Sequence, residues 1–109
     1  MSNATTRPVP EMPAWATERE DSDYHVPGDG FTRFSADSLM QPALTWDQEP
    51  CMLAVAPARY SREWDDDDQD RIEVWSLEGV GMLFMLTPNQ ARELAAVLVK
   101  GADTLEAAK

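Results

Sequence analysis

Cysteine and histidine are nearly absent from this chain of 109 residues: Cys51 and His25 are the only ones. A single cysteine forbids an intrachain disulfide, which excludes a stapled secreted mini-domain and fits a reducing cytosol. A Cys–His nucleophile pair would have to join Cys51 to His25, and no motif spacing relates them. A Ser-His-Asp triad would also depend on His25, which lies in a Pro/Gly-flanked stretch, a poor platform for exact geometry. Zinc sites built from several Cys and His ligands at short spacing are out of reach. Cations are scarce too: nine Lys and Arg stand against 20 Asp and Glu, a net charge of −11. That balance argues against direct binding to nucleic acid or to an anionic membrane. No run approaches the ~18–20 consecutive apolar residues of a membrane span, and residues 1–20 lack the apolar core of a signal peptide. The expectation is a cytoplasmic, non-enzymatic protein without a cofactor or metal.

What is present suits one small domain with a thin core. The charge is unevenly placed. Residues 1–30 hold six acids and two bases, residues 61–73 seven and two, and residues 31–60 and 74–109 are each within one charge of neutrality. Residues 1–30 read as an acidic, Pro-rich, partly disordered arm. Pro8, Pro10, Pro13 and Pro27 favour extended conformation, and Pro27-Gly28-Asp29-Gly30 signals a turn. Trp15 in this arm either packs back onto the domain or serves as a short linear motif for a partner.

Residues 31–109 read as a single α+β domain. A short strand at 31–36 would point Phe31, Arg33 and Ser35 one way and Thr32, Phe34 and Ala36 the other. Residues 43–46 form a brief extended piece. The run 51–56, bounded by Pro50 and Pro57, reads as a strand with Cys51, Leu53 and Val55 on one face and Met52, Ala54 and Ala56 on the other. An acidic loop follows at 61–71, where Asp65, Asp66, Asp67 and Asp68 repel one another. Strands at 71–77 and 82–86 pair as a hairpin about Gly79 and Gly81. Thr87-Pro88-Asn89-Gln90 is a capping box with proline at the first helical position. Ala91, Leu94, Ala95, Leu98, Ala102 and Leu105 then recur at helical spacing.

The resulting expectation is an antiparallel sheet of three to four strands, with one C-terminal amphipathic helix packed on one face. Residues 82–86 are apolar on both faces: Met82, Phe84 and Leu86 on one, Leu83 and Met85 on the other. The neighbouring strand has Ile72 and Val74 opposite Trp75 and Leu77. A single helix covers one side, so the arm, a second subunit or a partner protein should cover the other.

The stretch 72–103 resembles the C-terminal half of the DUF6907-like family of small actinobacterial and phage proteins. That family ends in a glycine-containing hairpin and a helix of the form LTPxQARxLAxxLxxAAD. The matching residues are Leu86, Thr87, Pro88, Gln90, Ala91, Arg92, Leu94, Ala95, Leu98, Ala102 and Asp103. The run from Met52 to Ser61 is similar to a strand that the family carries before an acidic loop. A Pro-x-Trp-Cys segment of the family aligns with Pro13-Ala14-Trp15, and Ala16 stands where that cysteine would be. The resemblance implies the fold and a bacterial or phage cytoplasmic setting, and no activity.

The leading functional expectation is an acidic interaction or regulatory protein that binds a protein partner or itself as a homodimer. The candidate contact residues are Trp15, Trp64, the acidic run 65–68, Trp75, Leu83 and Met85. Two alternatives stand beside it. One is a small metal- or ligand-binding module using Asp21, Asp23 and His25. The other is a DNA mimic, which would need its carboxylates on rigid surfaces rather than in an arm and a loop. The acidic run lacks EF-hand spacing and reads first as a solvated loop. Cys51 reads as an inert thiol.

Overall fold

The computed structural model describes residues 11–22, 31–62, 67–77 and 81–108. In chain order it holds β1 (Glu18–Ser22), β2 (Phe31–Ser35), β3 (Leu39–Leu44), β4 (Pro50–Arg62), β5 (Gln69–Ser76), β6 (Gly81–Leu86) and α1 (Pro88–Ala107). All pairings are antiparallel, in one sheet of order β1-β2-β4-β5-β6 with β3 also on β4. The class is α+β, and the strand number is six rather than three to four.

The two additional strands lie where local propensity is poor. β1 is Glu-Arg-Glu-Asp-Ser, within the stretch read as an arm, and pairs residue for residue with β2. Charged residues disfavour strands in general but are normal on an edge strand, where they discourage further pairing. β3 carries Pro42, which is tolerated because this strand, too, pairs on one side only.

β4 is the spine of the sheet. It continues past Pro57, although proline's missing N–H predicts a strand end at residue 56. The reason lies on its neighbour's side. β2 and β3 lie end to end along one edge of β4, with Ser35 opposite Ala58 and Leu39 opposite Val55. Four steps along one chain thus match three along β4, a one-residue bulge. The carbonyl of Pro57 accepts from Ala36 N at 3.4 Å, on the edge facing that break. The proline's missing N–H therefore falls where the ladder is interrupted anyway. The acidic loop is shorter than 61–71 for the same reason: pairing holds β4 to Arg62 and starts β5 at Gln69.

The β3–β4 hairpin turns through residues 45–49. Gln48 N donates to the Thr45 carbonyl at 2.9 Å, Thr45 N donates to the Glu49 carbonyl at 2.9 Å, and Gln48 takes a φ of 68°. Trp46 at its tip is 95% exposed.

Register assigns the faces. Arg33, Tyr60, Ala58, Ala56, Ala54, Glu73 and Trp75 share one face, hereafter the Arg33 face; Phe34, Arg59, Pro57, Ile72 and Val74 share the other. The buried apolar residues are Phe34 and Val74 on the second face and Ala54, Ala56 and Ala58 on the first. The β5–β6 hairpin departs from simple alternation. Val74 pairs with Phe84 but Trp75 pairs with Met82, so Leu83 is an inserted residue. The bulge brings Met82 onto the face of Met85, rather than that of Phe84 and Leu86 as alternation required.

α1 starts as its capping box dictates. Thr87 Oγ1 accepts from Gln90 N at 3.1 Å, and Gln90 Oε1 accepts from Thr87 N at 3.0 Å. The expected packing of this helix across the sheet does not occur. No residue of α1 is buried; Ala91 and Leu94 are half-buried beside β5 and β6, and the following turns are exposed. The cause is the connection. Only Thr87 separates the last residue of β6 from the first of α1, and it is extended (φ −69°, ψ 161°). One extended residue followed by proline cannot turn the chain back over its own sheet, a reversal for which strand-to-helix connections generally use about 2–6 residues.

Candidate functional site

Three arrangements stand out: a buried carboxylate cluster, a pocket beneath Trp15, and an apolar, partly exposed surface.

The cluster centres on Glu73, whose side chain has 0% exposure. β5 points it onto the Arg33 face, one strand removed from β2. Arg33 reaches it over Ala58, whose methyl group leaves the path across β4 open. Arg33 Nε donates to Glu73 Oε2 at 3.0 Å, and Arg33 Nη2 donates to Oε1 in a second bond. The Tyr60 hydroxyl donates to Oε2 and Trp75 Nε1 donates to Oε1 at 3.0 Å. Arg33 Nη1 also donates to Ser35 Oγ at 3.2 Å and lies 3.7 Å from Glu20 Oε1. Phe31 and Arg62 continue this end of the face. The Phe31 ring is 5.8 Å from that of Tyr60, and the Arg62 guanidinium is 5.7 Å from the Phe31 ring.

Burial pushes the Glu73 carboxyl up, but the hydrogen bonds from Arg33, Tyr60 and Trp75 outweigh it and hold the group below its ordinary value. The bond to Glu73 holds Arg33 in its charged form more firmly than usual. Tyr60 is raised by burial and by the Glu73 charge it faces. A carboxylate that accepts four hydrogen bonds has little freedom to exchange a proton or take a metal. The cluster therefore acts as a clasp between β2 and β5, in which no buried side-chain polar atom among the described residues lacks a partner.

Residues 13–17 pass the end of β2 on their way into β1, and Trp15 lies toward the other face. Ala16 N donates to the Pro13 carbonyl at 3.0 Å and Thr17 N to the Ser35 carbonyl at 2.9 Å. Trp15 lies 5.7 Å from the Arg59 guanidinium. Arg59 itself is held by Asp70 in two bonds of 2.6 and 3.1 Å, which raises the guanidinium and lowers the carboxyl. Trp15, Ala36, Pro57, Ile72 and Pro88 line a pocket of about 350 Å³.

The apolar surface begins on the Arg33 face beyond the clasp. Met40, Met52, Trp75, Met82 and Met85 lie there, with Leu44 at its border. Met40, Leu44 and Met85 are exposed, and Trp75 is half-buried. α1 adds its own stripe, in which Leu98 is 63% and Leu105 71% exposed.

The candidate contact residues are thus dispersed. Trp75 and Met85 share the Met-rich surface, and Leu83 is exposed at the adjoining bulge. Trp15 lies on the opposite face, partly folded back and 39% exposed. Trp64, Asp65 and Asp66 lie outside the described residues, as do Asp23 and His25. Asp67 and Asp68 are exposed, and Asp68 accepts from the Ser61 hydroxyl. Asp21 accepts from Thr32 Oγ1 at 2.8 Å and from Arg19 Nε at 3.2 Å, and these bonds lower its carboxyl. No group of three or more His, Cys, Asp or Glu suited to a metal occurs among the described residues, and no helix there is long and apolar enough to cross a membrane.

Comparison of the chain with family models, curated proteins and solved structures finds no match.

Sequence reasoning did not single out Arg33, Glu73, Tyr60 or Trp46. The signal for Glu73 is one acid between Arg71 and Trp75 on a strand face, opposite alternating Ile72 and Val74. Its partner was one arginine between Phe31 and Ser35.

Proposed function

We propose that this chain is a non-enzymatic interaction protein, acting by assembly through α1 and the Met-rich surface of the Arg33 face. The observation that carries the reading is α1: a 20-residue helix with an N-terminal capping box that buries no residue. An amphipathic helix draws most of its stability from packing its apolar face. A stripe whose Leu98 and Leu105 are left in water suits a protein whose helix docks on something else. The buried carboxylate, already saturated with donors, suits a structural role better than acid–base work.

The acidic composition fits this reading as a surface property. Carboxylates in an edge strand and a loop keep such a chain soluble while its apolar surfaces remain open. Membership of the DUF6907-like family, with its actinobacterial or phage cytoplasmic setting, belongs to the same proposal. It is supported by the resembling stretch 72–103 falling on one unit, the β5–β6 hairpin and its capped helix.

The test is capture of binding species by the full chain, compared with the double variant Leu98→Glu, Leu105→Glu. Species bound by the first and lost by the second are expected. Identical capture by both would overturn the reading.

A further inference from the structure

Resting on that reading, we propose that the occupant of the Met-rich surface is α1 of a second copy of this chain, exchanged reciprocally in a two-fold dimer. Three observations converge. The helix stripe and the sheet surface are both apolar, and Leu98 and Leu105 on the one and Met40, Leu44 and Met85 on the other are exposed. They are the two surfaces that an α+β domain of this kind would bury against each other. Within one molecule they are kept apart by a connection of a single residue, Thr87, held extended by its capping box and followed by Pro88. Short, stiff hinges favour exchange of an element between copies over closure within one.

The dimensions fit. A helix of 20 residues is about 30 Å long and about 10 Å across, a footprint of roughly 300 Å². In a reciprocal dimer each copy covers two such footprints, its helix on the partner and its sheet under the partner's helix. That is about 600 Å² before side-chain relief is counted, close to the roughly 800 Å² per partner of a specific interface. The composition also fits. Small residues on the helix (Ala91, Ala95, Gly101, Ala102) allow close approach, and methionines adapt to the surface they meet. A Cβ at Gly101 would meet nothing within 4 Å in one chain, so the space there is open for a neighbour.

Light scattering of the full chain should give twice the mass of 12.2 kDa. Leu98→Glu with Leu105→Glu should give the single mass with the sheet retained, and Met85→Glu on the sheet should do the same. Cross-linking decides the pairing. In a Cys51→Ser background, Leu98→Cys and Met85→Cys chains are mixed and treated with a short bis-maleimide. Covalent dimers in the mixture, and in the chain carrying both cysteines, are expected. Three results would overturn the proposal: efficient dimers from Leu98→Cys alone, which mean helix-to-helix pairing; an intramolecular link without dimers; or a monomer at every concentration. A monomer that still loses its captured species on Leu98→Glu, Leu105→Glu would end this proposal and leave the interaction reading intact.

Discussion

Arg33 and Glu73 sit on strands that do not touch, yet Arg33 Nε lies 3.0 Å from Glu73 Oε2. The intervening strand offers Ala58 beneath the bridge, so two flanking strands are tied across a third. Neighbouring strands are ~4.8 Å apart, so a span of two strand spacings demands one long side chain and nothing bulky between. This relationship makes the centre of a thin sheet respond sharply to changes at few positions.

Removing one partner of this clasp should cost far more than its surface counterparts. Glu73→Gln leaves the Arg33 charge without its carboxylate in a largely buried place, an expected loss of roughly 3–5 kcal/mol. Urea denaturation followed by tryptophan fluorescence measures it. Replacing both, as Arg33→Met with Glu73→Leu, should lose less than the single change, because no buried charge is then left unpaired.

Stability should fall in acid with a defined sign. The Glu73 carboxyl is held below its ordinary 4.5 in the folded chain. Its contribution is therefore present above about pH 4.5 and is lost as pH falls through the lower, folded value. Tyr60 works from the other side. Raised above 10.0 by burial and by Glu73, it contributes stability below about pH 10 that is lost as pH rises through its folded value. Urea midpoints measured across pH should thus form a plateau falling at both ends. Glu73→Gln should flatten the acid limb, and Tyr60→Phe the alkaline one.

Ala58 is 2% exposed and is required to be small. Ala58→Leu should force Arg33 away from Glu73 and overpack the face, at an expected 1–3 kcal/mol. Combined with Glu73→Gln, its effect should be less than additive, since both disrupt one bridge. A double-mutant cycle in urea reads that coupling.

The helix should respond separately from the sheet. Thr87→Ala removes an acceptor for the Gln90 N–H and should cost about 1 kcal/mol of helix stability. Gly101→Ala, with space around its Cβ position in the single chain, should stabilise the helix by about 0.5–1 kcal/mol in the Leu98→Glu, Leu105→Glu background, where no neighbour fills that space. Far-UV circular dichroism at 222 nm (roughly the helix band) together with amide exchange of α1 should report both changes. The protection of β4 and β5 amides should stay unaltered by either change in the Leu98→Glu, Leu105→Glu chain.

Much of this architecture is legible along the chain because its causes are local. Thr87, Pro88 and Gln90 make a capping box from their own neighbours' backbone, so the helix start is readable from four residues. The faces of residues 31–35 and 51–56 follow from the two-residue period of any strand. Where the cause lies on another strand, the reading fails. Glu18–Ser22 becomes a strand only because β2 offers an edge, and Pro57 stays within β4 only because a bulge opposite removes the need for its N–H. Leu83 shifts the face of Met82 through a register that depends on β5. The clasp is the plainest case, since Arg33 and Glu73 are forty residues apart in sequence and nothing near either names the other.

The sequence by itself determined the class, the hairpin and its capped amphipathic helix, and the concentration of charge in residues 1–30 and 61–73, because composition, period and capping act over a few residues. Only the tertiary structure decided that β2 and β5 are tied through Arg33 and Glu73, that six strands share one sheet, and that the helix leaves the sheet instead of covering it. The physical reason is the same in each case: pairing partners and the direction of a one-residue connection are set in three dimensions, by which backbone edges and side chains meet.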